Sequence, residues 1–290
     1  MKIIPHSIKP SKTVEEQLDI FKSRGLIIEN EEWAKSILTH ISYYRLTAYT
    51  LSLKNGNQFN KKVTFENIYH LYEFDLKLRS LVMEVTETIE ISMRTHISLT
   101  LSQKYDGMGY MYAENFMDSD KHDNFIKELN RTLELSKDVF VKHYYSKYAG
   151  EFPVWVAMEI TTFGMISKLF KNLKKEDKNY IGYMYYGGIK GFYIGSWLHS
   201  ISNLRNICAH YGRVYNRNFP HPPQLFKKDK PKIIDDKKVF STILIMKYFI
   251  PNKDVWNDWL EKLKNLLDMY SEIDRTLIGF PPDWYTVLKK

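Results

Sequence analysis

The chain has 290 residues, 44% apolar and 26% charged, with 13 Gly and 10 Pro; these figures exclude a collagenous, low-complexity or disordered chain and allow a sizeable core. Its 42 Lys and Arg outnumber 34 Asp and Glu, for a net charge of +8, so a polyanion is an admissible partner, although charge alone does not choose one. The single cysteine, Cys208, rules out an intramolecular disulfide and a multi-cysteine zinc site.

The opening MKIIPHSIKPSKT is polar and lacks the apolar h-region of a signal peptide. No run of about 18 uncharged apolar residues follows, so a cytoplasmic protein without a membrane partner is expected. Residues 14–24 carry Val14, Leu18 and Phe21 at helical spacing and stop at Gly25. Residues 31–41 open with acidic side chains, which suit a helix N-terminus. The segment 41–53 leaves helix and strand open, and KNGNQFNKK after it reads as a turn or loop.

From Thr64, with Thr64-x-x-Asn67 as its cap, apolar residues recur every three or four positions to about Tyr105. One long helix is predicted there, with a straight, a kinked and a split form all open. Further helices are predicted over 121–135, 139–148, 154–174, 191–211, 237–249 and 255–276, with a Pro-rich, basic loop over 212–232. No repeat and no βαβ spacing interrupts them, so the fold is expected to be all-α. The first sixty or so residues (1–62) form a smaller helical extension, and 63–290 form the core with C-terminal helices.

The segment WLHSISNLRNICAHYGRVYNR carries the chemistry. On a helix Trp197, Ile201, Leu204 and Cys208 form one apolar stripe, while His199, Asn203, Asn206 and His210 line roughly the opposite face. A merely solvated face would use Lys and Glu instead. Arg205 precedes His210 by five residues, about 140° around an ideal helix. Either the Arg arm reaches round, the helix bends near Gly212, or a second copy brings another such helix alongside. Cleaving RNA needs a base for the 2′-hydroxyl, an acid for the leaving 5′-oxygen and positive charge for the crowded phosphate. Histidine serves either proton role and arginine offers a forked phosphate donor, so the chemistry needs neither a metal nor another cofactor. The bare Arg-x4-His spacing is short enough to recur by chance, and a His near a helix end is also an ordinary cap.

RNICAHYGRVYNR is similar to the R-x4-6-H motif of the HEPN superfamily of helical ribonucleases. The wider chain resembles the Abi_2 group of that superfamily, the AbiD/AbiF-type abortive-infection proteins. The resemblance is carried by RGLIIENEEWAKSILTHISYYRLTAYTLSL, TFENIYHLYEFDLKLRSLVMEVTETIEISMRTHISLTLS, FPVWVAMEITTFGMISKLF and the Arg205 segment, from about residue 9 to 217. It implies a HEPN-type helical bundle, metal-independent endoribonuclease activity in phage defence as a toxin, and a homodimer that joins two motifs in one cleft. RNA is then the substrate, and a small regulatory RNA is a further partner. The motif residues carried onto this chain are Arg205, Asn206 and His210. Where some HEPN toxins have a Tyr two residues after the His and are silenced there by adenylylation, this chain has Gly212, with Tyr211 and Tyr215 nearby. Arg217 to His221 is one residue short and holds Pro220, so it is not read as a second motif.

Supporting candidates are His199, Asn203, Tyr211, Arg213 and Arg217 around the motif, and Glu90 with Arg94 on the long helix. Glu87, Glu90 and Arg94 share a face. A structural ion pair is the simple reading; a carboxylate orienting Arg205 or His210 is the functional one. His96 belongs to either group. Tyr43, Tyr44, Arg45 and Tyr49 are core packing or a base-stacking set, and Lys227 to Lys232 are phosphate holders beside the motif or a solvated loop. The alternative functions are a non-catalytic RNA-binding protein using the same basic cleft, and a structural helical dimer.

Overall fold

The computed structural model describes residues 10–290. Most of the polar opening segment and the start of the resemblance, at residue 9, lie outside the described residues. The chain divides at Lys77 into two compact units.

In the first unit, over 10–77, α1 (Val14–Ser23) starts at a capping box in which Thr13 Oγ1 accepts from the Glu16 N–H and Glu16 accepts from the Thr13 N–H. Such caps contribute about 1 kcal/mol each. Helix α1 ends before Gly25, whose φ of +83° suits the left-handed residue that closes a helix. Asn30 caps α2 (Glu31–His40), and Ser42 caps α3 (Tyr43–Thr47). The ambiguous 41–53 segment is therefore a short helix followed by turns. The expected loop after it contains a hairpin, β1 (Lys54–Asn55) against β2 (Gln58–Phe59), turning through Gly56 at φ +60°. Leu18, Phe21, Ala34, Leu38, Leu46 and Phe65 belong to its buried core.

Helix α4 (Phe65–Tyr105) starts in this unit and is a single helix of 41 residues. Its cap is reciprocal: the Asn67 N–H donates to Thr64 Oγ1, and the Thr64 N–H donates to Asn67 Oδ1. Asp106, in the left-handed region at φ +67°, terminates it.

The second unit, Leu78–Lys290, continues with α5 (Ser119–Leu135), α6 (Val139–Lys147), α7 (Val154–Ala157), α8 (Phe163–Asn172) and α9 (Lys175–Tyr185). It is completed by α10 (Gly191–Ala209), α11 (Val239–Met246), α12 (Lys253–Met269) and α13 (Trp284–Leu288). Helix α10 lies at its centre, packed on α8, α9 and α11. Trp197, Ile201, Leu204 and Cys208 are all at most 4% exposed, as the apolar stripe requires. Gly191 permits a close approach: a Cβ there would stand 2.8 Å from the Lys178 carbonyl carbon. The fold is all-α apart from the hairpin.

Two predicted spans need correction. Residues 154–174 are not one helix: after a 3-10 turn, Thr161 and Thr162 are extended, and the Thr162 hydroxyl accepts from the Met165 N–H to begin α8. Threonine hydroxyls compete with the helical backbone, and two in succession favour this restart. Helix α12 stops at Met269, short of the predicted 276, and only a 3-10 turn, Arg275–Ile278, follows. Helices α9 and α13 were not predicted. Among the described residues no helix is long and apolar enough to cross a membrane.

Candidate functional site

Helix α10 ends in a way that exposes the motif. The Gly212 N–H donates to the Ile207 carbonyl at 2.8 Å and the Tyr211 N–H to the Cys208 carbonyl at 3.0 Å, the paired bonds of a Schellman closure. His210 is thus the C-cap, and Tyr211 takes the left-handed position, φ +56°, that glycine usually occupies. Both His210 and Asn206 are exposed, and Tyr211 is 69% exposed. Asn203 and His199, one and two turns back, are half-buried.

Arg205 is turned toward α4. Its Nε lies 3.7 Å from Glu90 Oε2, an ion pair rather than a hydrogen bond, with its side chain 33% exposed. Glu90 is 7% exposed. Its Oε1 accepts from Arg94 Nη2 at 2.5 Å, and the same Nη2 donates to the Thr161 carbonyl at 2.6 Å. That carbonyl is available because the helix breaks at Thr161: the unpredicted interruption between α7 and α8 supplies the anchor for Arg94. Arg94 Nε is buried and has no hydrogen-bond partner among the described residues. Two guanidinium groups share one carboxylate, which leaves an excess of one positive charge in this cluster. A buried carboxylate is retained at little penalty only when paired in this manner.

The remaining candidates fall elsewhere. Glu87 is exposed and stands outside this group. His96 stacks on Tyr185 with ring centroids 3.8 Å apart and its Nδ1 is 2.9 Å from the Tyr186 hydroxyl. Burial pushes the His96 imidazole down to about 4, so it is neutral and belongs to neither motif group. His199 pairs with His221 at 4.4 Å between ring centroids; burial first, then His221 and Lys171, hold it below the usual histidine value. His221, discounted in the sequence as the end of a second motif, sits in a loop and pairs with His199 only through the fold. Arg213 and Arg217 are half-buried, and Arg217 Nη1 donates to the Arg213 carbonyl at 3.4 Å.

The loop after the motif is strapped along α10. Trp197 Nε1 donates to the Gln224 carbonyl at 2.6 Å, and the Ser200 hydroxyl to the His221 carbonyl at 2.6 Å. It therefore runs back along the helix, and Lys228 shares a cleft with Lys190, the N-cap of α10. Nineteen helical residues span about 28 Å, so Lys228 sits at the end of α10 opposite His210 rather than beside the motif. In the first unit, Tyr49 donates to Asp75 at 2.7 Å and is buried, and Tyr43 packs on Phe21 with centroids 4.7 Å apart. Tyr44 alone of the three tyrosines is strongly exposed, at 88%. Of the proposed stacking set, Tyr43 and Tyr49 serve the core of their own unit.

No curated protein and no solved structure matches the chain. A family model does: that of Abi-like protein, Abi_2, over residues 36–216. Glu90, Arg94, Thr161 and the whole of Arg205 to His210 fall inside that span, which covers more than half of the sequence, and the chain belongs to the Abi-like protein family.

Proposed function

We propose that this protein is a metal-independent endoribonuclease of the HEPN type, in which His210 moves the proton, Arg205 stabilises the phosphorane-like transition state and Asn206 positions the phosphate. Abi-like family membership implies a role in abortive infection, a phage-defence function. The observation that carries the enzymatic reading is the Glu90–Arg205 ion pair on the last turns of α10, the helix whose C-cap is the exposed His210. Glu90 fixes one side of the guanidinium, while the other Arg205 nitrogens are free of that contact and suited to anionic oxygens.

The reaction follows from the side chains. A base removes the 2′-hydroxyl proton, the 2′-oxygen attacks the adjacent phosphorus, and the 5′-oxygen leaves as it gains a proton, giving a 2′,3′-cyclic phosphate. Two proton transfers are required and the motif provides one histidine per chain, so a homodimer that opposes two α10 ends completes the set. Arg213 and Arg217 add positive charge just past the motif for the neighbouring phosphates.

The test is induction of the native chain and of His210→Ala in a bacterial host, with total RNA run on denaturing gels in the presence of a chelator. Growth arrest and RNA shortening by the native chain, both lost in the variant, are the expected results. Cleavage of DNA at the same rate would contradict 2′-hydroxyl attack. Salt-sensitive RNA binding with no shortening, retained in His210→Ala, would assign the chain as a non-catalytic RNA-binding protein instead.

A further inference from the structure

At the α9–α10 turn, some 28 Å of helix away from His210, the second unit carries a cleft of about 620 Å³, within the size range of small-molecule sites. Four lysines line it, Lys190, Lys228, Lys247 and Lys290, and no aspartate or glutamate does. The nearby acid is Asp229, and it is already committed: it is 1% exposed, accepts from the Tyr248 hydroxyl at 2.6 Å and pairs with Lys232 at 3.2 Å. The first turn of α10 has no acidic residue either, and its N-cap is Lys190. Four like charges gathered with a single, already paired carboxylate nearby repel one another, and an anion in the space relieves that repulsion.

The walls are aromatic. Phe226 meets Tyr193 at 4.6 Å and Tyr248 at 5.2 Å between centroids, and Lys228 lies over the Phe226 and Tyr248 rings at 5.6 and 5.7 Å. Phe192, also on the cleft, packs on Tyr193 with ring centroids 4.1 Å apart and is 58% exposed, which leaves ring surface open to a stacking partner. Gly187 and Gly188 form the floor with positive φ and no atom within 4 Å of a would-be Cβ, so the backbone there is open. Lys247 is 9% exposed and its ammonium donates to the Val287 carbonyl. Burial holds it below the usual lysine value, opposed by Asp229 and assisted by Lys232 and Lys228.

We propose that this cleft binds a nucleoside 5′-polyphosphate, with the phosphates on Lys190, Lys228 and Lys247 and the base on Phe192. Inorganic phosphate would satisfy the lysines and leave the rings wet; a neutral aromatic would do the reverse. The same chemistry is offered by a free nucleotide and by the 5′-triphosphate end of an RNA. The site is separate from the motif and does not rest on the nuclease reading.

The experiment is titration calorimetry on the full chain with ATP, inorganic tripolyphosphate and adenosine. Saturable ATP binding is expected. Lys190→Ala/Lys228→Ala should weaken it at least tenfold without lowering the thermal midpoint, because both side chains are exposed. Phe192→Ala should weaken ATP several-fold and leave tripolyphosphate unchanged, whereas Arg205→Ala/His210→Ala should alter neither. Displacement of ATP by a 5′-triphosphorylated RNA oligonucleotide, but not by its 5′-hydroxyl counterpart, would identify the RNA end as the ligand; no displacement by either would identify the free nucleotide. Absence of ATP binding, indifference to the lysine pair, tripolyphosphate binding as tightly as ATP, or equal displacement by the 5′-hydroxyl oligonucleotide would each overturn the proposal.

Discussion

Glu90 Oε2 stands 3.7 Å from Arg205 Nε while Glu90 Oε1 accepts a 2.5 Å hydrogen bond from Arg94 Nη2. One buried carboxylate therefore ties α4 to α10 and sets the position of the motif arginine. Arg94 is tied in turn to the Thr161 carbonyl, so three separate segments of the second unit converge on Arg205.

Glu90→Gln should destabilise the protein by about 2 kcal/mol, because two guanidinium groups lose their shared counter-charge in a largely buried position. Urea unfolding of the variant checks this. An unchanged midpoint would mean that the carboxylate is dispensable to the fold. RNA cleavage should fall as well, by less than in Arg205→Ala, since the guanidinium remains present but loosely held.

His210→Ala should leave stability within about 0.5 kcal/mol of the native value, as the residue is an exposed C-cap. Cleavage should fall by roughly 100-fold or more, the usual scale for removing a general acid or base. A variant that melts normally and still cuts RNA would remove His210 from the mechanism.

Arg205→Lys keeps the charge and loses the fork. Lysine cannot hold Glu90 with one face and a phosphate with another in fixed geometry, so cleavage should drop on the order of tenfold while RNA affinity changes little. Single-turnover rates set beside binding isotherms separate the two effects; equal rates for both proteins would argue against a geometric role.

Tyr211→Gly should raise stability by up to about 1 kcal/mol, because φ is +56° there and glycine adopts the left-handed region without strain. A lowered unfolding midpoint would show that the contacts of the tyrosine ring outweigh the backbone cost.

The His96 imidazole, pushed down to about 4 by burial against an ordinary value of 6.5, makes the unfolded chain bind more protons between those limits. Stability should accordingly fall as pH drops from 6.5 toward 4, by about 1 kcal/mol from this group once its partial exposure is allowed for. His96→Gln should flatten that part of the stability–pH curve, and an unaltered slope would show that His96 protonates freely in the folded state.

Helical periodicity and capping are local, and they could be read directly. The reciprocal Thr64 and Asn67 cap, the 41-residue helix it opens and the stripe from Trp197 to Cys208 all follow from interactions within a few residues. The break at Thr161 was not legible, because apolar residues at near-helical spacing continue on both sides of two threonines whose hydroxyls decide the matter. Glu90 was one of two carboxylates on its face, and only packing determined that it, rather than the exposed Glu87, meets Arg205.

The amino-acid sequence by itself determined that the chain is all-α and which residues on α10 present polar chemistry, because an i to i+4 pattern needs nothing beyond the helix that carries it. Tertiary structure decided the rest: that a carboxylate distant in sequence holds Arg205, that a backbone carbonyl with no residue signature anchors Arg94, and that Lys228, close to the motif in sequence, lies at the far end of α10. Those pairings depend on how helices pack and how a loop is strapped back, and no local spacing encodes them.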